Sequence, residues 1–205
     1  MAQENPLYNT GRAKAATETS LIHRRPENAI VLLLEMQPEI VASSRTQPEA
    51  QLRRVASVLT RCARELDIPV LTSVVPLAPG VAPELIEELS ACKAVPRTTV
   101  SALDDESVAG QFASSERRLV ALGGVSSEIA LLHTALSLRR QQYEVHLLID
   151  CCGGLGERSE QAALRQMEAA GVTLSSVPSF LSALISDLSS TNGRIVMNTL
   201  AAFWS

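Results

Sequence analysis

A doubly wound, three-layer α/β fold with a mostly parallel sheet is the architecture this sequence predicts, and three observations predict it. Short apolar runs alternate along the chain with longer segments whose apolar residues recur at helical spacing. The runs are apolar at consecutive positions rather than at every second one, as strands covered on both faces require. Between Arg118 and Arg140, an apolar run at 119–122 meets Gly123-Gly124 and then a helical stripe of Leu131, Ala135 and Leu138. A strand, a tight turn and a helix in that order form the junction at which open parallel sheets present a crevice and unpaired helix N–H groups.

The elements follow in order. Residues 29–34, Ala-Ile-Val-Leu-Leu-Leu, form a first buried strand that ends at Glu35-Met36-Gln37-Pro38. From Pro48 to Leu66, the residues Leu52, Val55, Leu59, Cys62 and Leu66 share one helical face, with Pro48 placed for a first turn. Residues 68–75 give a second strand, and strand, helix, strand implies a parallel pair joined by a right-handed crossover. Residues 76–83 read as a turn-rich loop, and Leu85, Ile86 and Leu89 as a short helix. Residues 92–103 have no period and are expected to be a loop. It enters Asp104-Asp105-Glu106, whose carboxylates suit the first turn of a helix carrying Val108 and Phe112.

After the central junction, residues 143–149 predict a strand ending at Asp150. Gly153-Gly154-Leu155-Gly156 then leads to a helix in which Ala162, Ala163, Leu164, Met167 and Ala170 pack and which Gly171 stops with a left-handed cap. Residues 172–174 make a last short strand, and Phe180, Leu181, Leu184 and Ile185 mark a further helix. The tail from Gly193 to Trp204 is apolar enough to dock on this domain or on a neighbouring subunit.

Composition bounds the organisation and the partners. The chain has 205 residues, 46% of them hydrophobic and 20% charged, which fits one domain over residues 29–205 behind a flexible arm at 1–28. Net charge is −4 with the basic residues dispersed, so neither nucleic acid nor an anionic membrane is expected as a partner. No stretch reaches the roughly 18 uninterrupted apolar residues of a membrane span, and the arm lacks the apolar core of a secretory signal. A cytoplasmic protein is expected, although Arg12, Lys14, Arg24 and Arg25 in the arm leave organellar import open against Glu4, Glu18 and Glu27. Cys62, Cys92, Cys151 and Cys152 lack C-x-x-C spacing and read as reduced thiols.

Few residues carry chemistry by pattern alone. Glu35, placed directly after six apolar residues, is either a charge emerging into solvent or a functional carboxylate, and the residues leave both readings open. The run Gly153-Gly154-Leu155-Gly156 lacks the G-x-G-x-x-G spacing of a dinucleotide site, so no such cofactor is expected. His23, His133 and His146 lack metal-ligand spacing, and no metal is expected. His133 reads as a satisfied, partly buried histidine.

Four motifs in order resemble the isochorismatase-like cysteine hydrolases. Leu32-Leu33-Leu34-Glu35-Met36-Gln37 is similar to that family's first-strand motif, in which apolar residues precede Asp-x-Gln. The stretch from Val95 to Ala102 is similar to its lysine-bearing loop, with Arg97 where the lysine falls. Gly124-Val125-Ser126-Ser127-Glu128-Ile129-Ala130-Leu131 resembles Gly-Val-x-Thr-Glu-x-Cys-Val, with Ala130 at the cysteine. Asp150-Cys151-Cys152-Gly153-Gly154 and the helix end from Ala163 to Val172 resemble the segments that follow.

The resemblance implies a Rossmann-like fold and an Asp-Lys-Cys triad, in which the carboxylate takes the thiol proton, the ammonium stabilises charge and the thiolate attacks. It places Ser126, Ser127 and Ile129 around the pocket and its oxyanion donors. This chain departs from all three triad positions. Glu35 carries its carboxylate about one methylene further out, and about 1 Å of misplacement costs on the order of a hundredfold in rate. Arg97 keeps the charge in a planar fork. Ala130 removes the nucleophile.

Two functions are therefore expected. One is a homologue without the cysteine reaction that binds, regulates or scaffolds, tolerating a bidentate Glu35–Arg97 pair. The alternative is a cysteine-independent hydrolase in which Glu35 is the general acid, as in isochorismatase-type vinyl ether hydrolysis, and Arg97 holds a substrate carboxylate. A neighbouring guanidinium opposes protonation of Glu35, so the two substitutions pull against the second reading. A homo-oligomer and a small carboxylated or amide ligand are the partners the resemblance implies, with the tail as a natural interface.

Overall fold

The computed structural model describes residues 24–78, 80 and 82–203. His23 and most of the expected arm lie outside the described residues, as do Trp204 and Ser205 at the end of the expected tail. Six parallel strands form one sheet: β1 (Ala29–Leu34), β2 (Val70–Val74), β3 (Ala94–Pro96), β4 (Leu119–Val125), β5 (Glu144–Gly153) and β6 (Thr173–Ser175), in the order β3-β2-β1-β4-β5-β6. All the strand pairings are parallel, which sharpens the expected mostly parallel sheet.

The helices cover both faces because β1 is apolar at every position. Val31 and Leu33 join one core cluster with α2 (Glu49–Glu65), α6 (Val177–Ala183) and α7 (Thr191–Ala201). Ile30, Leu32 and Leu34 join the opposite cluster with α3 (Glu106–Ser115), α4 (Leu132–Arg140) and α5 (Glu157–Ala169). The short α1 (Pro38–Ser43) follows β1 directly. In α2 the expected face of Leu52, Val55, Leu59 and Cys62 is fully buried. Asp105 caps α3 by accepting from the backbone N–H groups of Ser107 and Val108. Gly171, at φ +86°, follows α5 as expected.

Four expectations are corrected. Residues 92–103 are not all loop, since Ala94–Pro96 pairs with β2 as an edge strand too short to show a period. Gly123-Gly124 is not a turn but part of β4, where a Cβ on Gly124 would lie 2.0 Å from the carbonyl oxygen of Leu34. The close approach of two strand backbones, not a reversal of the chain, demands glycine there. The strand expected to stop at Asp150 continues to Gly153, because the pairing with β4 shifts from Leu122↔Leu147 to Gly124↔Cys152. Ala162 faces solvent, while Ala163 and Met167 pack.

The tail forms α7, whose Val196 and Leu200 belong to the same core cluster as the α2 side chains. It therefore docks on its own domain, and Arg54 closes the contact by donating to the carbonyl of Ala202 at 2.5 Å. No helix among the described residues is long and apolar enough to cross a membrane.

Candidate functional site

Sheet order reverses between β1 and β4, and the crevice outside the carboxyl ends of those two strands is where an open α/β sheet offers a site. Glu35 follows β1 and Ser126 follows β4. Both adopt left-handed backbone, at φ +57° and +63°, conformations that cost a non-glycine residue on the order of 1–2 kcal/mol each. Two such residues facing one another at the switch point mark a place where the chain accepts strain to aim side chains.

They are aimed at each other. One carboxylate oxygen of Glu35, Oε1, accepts from Arg97 Nη2 at 2.5 Å, and the other, Oε2, accepts from Ser126 Oγ at 2.8 Å. The pair is not the expected bidentate fork, because serine occupies the second oxygen. Arg97 follows β3, and its backbone N–H bonds to Val74, so its side chain crosses the end of β2 to reach β1. On the way Nη1 donates to Ser73 Oγ at 3.3 Å and Nε to the carbonyl of Thr99 at 3.1 Å. The Arg97 side chain is 0% exposed and that of Glu35 10% exposed. A charge pair this buried needs further hydrogen-bond partners, and here Ser73, Thr99 and Ser126 supply them.

The ends of β1 and β2 are tied independently of the pair. The Gln37 side-chain amide donates to the carbonyl of Val75 and accepts from its N–H, both at 2.9 Å. The Glu35 N–H bonds to Ser73. Gln37 stands in the first-strand motif of the resemblance, whereas nothing in the sequence singles out Ser73 or Thr99, and only the crossing of Arg97 from β3 to β1 gives those two their roles.

The remaining expected residues take separate places. Ala130 is fully buried in the apolar cluster that also holds Leu34 and Leu122. It sits on a single π-helical turn, Ser127–Leu131, between β4 and α4. Ser127 turns away from the ion pair and donates to Glu160 on α5 at 2.7 Å. Ile129 is 45% exposed. Glu128 accepts from the N–H groups of Leu155 and Gly156 and from the Ser159 hydroxyl, tying this turn to the start of α5.

Neither vicinal thiol is placed to attack. Cys151 and Cys152 are buried on opposite faces of β5, and burial pushes both thiols well above their ordinary range, so they stay protonated. His133 is exposed rather than partly buried, and His146 is buried with Nε2 3.1 Å from Glu144 Oε1. Among the described residues no group of three or more His, Cys, Asp or Glu side chains is placed to hold a metal ion.

The Isochorismatase domain family matches residues 29–179, most of the chain. Isochorismatase domain-containing protein 2 of Pongo abelii is 31% identical over 177 residues, covering 84% of this chain and 83% of its own. The chain belongs to the isochorismatase family. The mouse isochorismatase domain-containing protein 2A is similarly related, 29% identical over 182 residues, with 85% of this chain and 84% of its own covered.

Solved isochorismatase-like structures share the fold at lower identity. The MAR1 ribonuclease of Caenorhabditis elegans superposes with a TM-score of 0.77 at 17% identity, covering 86% of this chain and 91% of its own. YcaC of Pseudomonas aeruginosa, solved with hexane-2,5-diol and covalent acrylamide, gives 0.73 at 20% identity, with 88% and 96% covered. The Escherichia coli YcaC product, described as an octameric hydrolase of unknown specificity, gives 0.66 at 18% identity, with 89% and 98% covered.

Proposed function

We propose that this isochorismatase-family protein does not turn over substrate by the cysteine route and works instead as a binding, regulatory or structural protein. The observation that carries the reading is the closed cluster at the switch point. Both oxygens of Glu35 are engaged, by Arg97 and Ser126, while the position that resembles the nucleophile's is a buried methyl, Ala130. A methyl group forms no covalent intermediate.

The general-acid alternative needs Glu35 to protonate and Arg97 to release it toward a substrate carboxylate. Arg97 lies fully buried with Nη2 2.5 Å from that carboxylate and is held by Ser73 and Thr99 as well, so it is not free to turn toward a substrate carboxylate. The reading is of a cytoplasmic homo-oligomer that takes a small carboxylated or amide ligand without converting it. With Val196 and Leu200 committed to its own core, the tail is a weaker candidate for the subunit interface than its sequence implies.

The test is turnover of isochorismate and of a panel of small amides by the purified protein, with Glu35→Gln beside it. No conversion by either protein is expected. Conversion by the native protein that disappears in Glu35→Gln would overturn the reading in favour of a cysteine-independent hydrolase. Light scattering of the same sample, with a mass above that of one chain, checks the oligomer.

A further inference from the structure

Ser126 is the one hydroxyl among the described side chains that donates to the buried carboxylate of the switch point. Its backbone is left-handed, at the corner where β4 gives way to helix, so its Oγ stands at the end of the strand. A strained strand-to-helix corner is also how unrelated α/β hydrolases expose a nucleophilic serine. The neighbouring hydroxyls are committed elsewhere: Ser127 to Glu160, Ser101 and Ser137 to each other, Ser73 to the Val95 carbonyl. Ser126 keeps 8% of its surface exposed.

We propose that Ser126 is an acyl-accepting site, modified once by an activated ester or thioester of a small acyl group. This goes beyond the loss of cysteine chemistry and leaves it standing. The extra methylene of Glu35, relative to the aspartate it replaces in the resemblance, takes its carboxylate to Ser126. Arg97 at 2.5 Å fixes the far oxygen, so that Oε2 stays aimed at the hydroxyl. The Ser126 oxygen adds to the acyl carbon as its proton passes to Glu35 Oε2. The bond from that carbon to the leaving oxygen or sulfur breaks, and the leaving group departs as an anion with the electron pair.

The acyl group stays on Ser126 as an ester, and the proton on Glu35 returns to solvent. A carboxylate is a weak base for an alcohol, which confines the step to donors with good leaving groups. The described residues place no histidine beside Ser126 to drive water into the product. The outcome is one acyl group per chain rather than turnover.

The probe is p-nitrophenyl acetate on the intact protein. A burst of one p-nitrophenolate per chain is expected, with no steady release above background and an acetyl group on the peptide carrying Ser126. Ser126→Gly, which suits the left-handed backbone and so keeps the fold, abolishes the burst. Glu35→Gln slows it at least tenfold, and Cys92→Ser, which removes the half-buried thiol, leaves it unchanged. Absence of a burst, an acetyl group found only elsewhere, or a burst that survives in Ser126→Gly overturns the assignment. Steady release after the burst that is lost in Ser126→Gly would instead overturn the reading of a non-catalytic protein while leaving Ser126 as the acceptor.

Discussion

Two carboxylate–guanidinium pairs hold opposite ends of the sheet, and they are built differently. Glu35–Arg97 lies at the carboxyl end, at 2.5 Å, with side chains 10% and 0% exposed. Glu144–Arg24 lies at the amino end of β5, at 3.0 Å, with both side chains 24% exposed. The first joins the ends of β3 and β1 across β2 and fills its spare capacity with Ser73, Thr99 and Ser126. The second fastens residue 24, just ahead of β1, to a strand end that water still reaches. The difference teaches that a charge pair kept out of water commits its neighbours to it.

Breaking the buried pair is expected to have the largest effect. Arg97→Ala leaves the Glu35 carboxylate buried without its cation and is expected to cost about 3–5 kcal/mol of stability, read by urea unfolding. A cost below about 1 kcal/mol would show that water replaces the guanidinium and that the site is open. Replacing both partners sharpens the point. Glu35→Leu with Arg97→Met removes two charges rather than orphaning one, and is expected to be near neutral or stabilising, well short of the single-variant loss. If the double variant is as unstable as Arg97→Ala, the pair holds the strand ends through its own bonds.

The exposed pair supplies the smaller number. Arg24→Ala is expected to cost about 1 kcal/mol or less, since ion pairs open to solvent rarely contribute more. A loss matching that of Arg97→Ala would remove the distinction between the two ends.

The fold was legible in the sequence wherever burial leaves a pattern. β1 reads as a two-sided strand because all six of its residues are apolar, and α2 because its buried positions recur at helical spacing. β3, at three residues, has no room for a period, and Gly123-Gly124 reads as a turn because glycine needed for backbone approach looks the same as glycine needed for reversal. At the site, Glu35 and Arg97 were legible as positions, through motif order. Their contact was not, because Arg97 lies 62 positions after Glu35 and only sheet order brings them together. Ser126 is expected at the pocket from the resemblance alone, and its bond to Glu35 depends on two left-handed residues that no side-chain pattern announces.

Acid separates the exposed pair by its own signature. Burial pushes the Glu144 carboxyl up, but hydrogen bonds from His146 and Arg24, with the charge of Arg24, outweigh it and hold the group at about 2. A carboxyl whose folded value lies below its ordinary one contributes stability that is complete at neutral pH. That contribution drains away as pH falls from about 4.5 toward about 2, because the unfolded chain takes up the proton first. The measurement is the stability difference between the native protein and Glu144→Gln, followed by urea unfolding from pH 7 downward. The difference is expected to be about 1 kcal/mol or less at pH 7, given how far water screens the pair, and to vanish through that window. A difference that stays constant down to the acid limit would mean that Glu144 acts through packing, and that Arg24 is held at the amino end by something other than its charge.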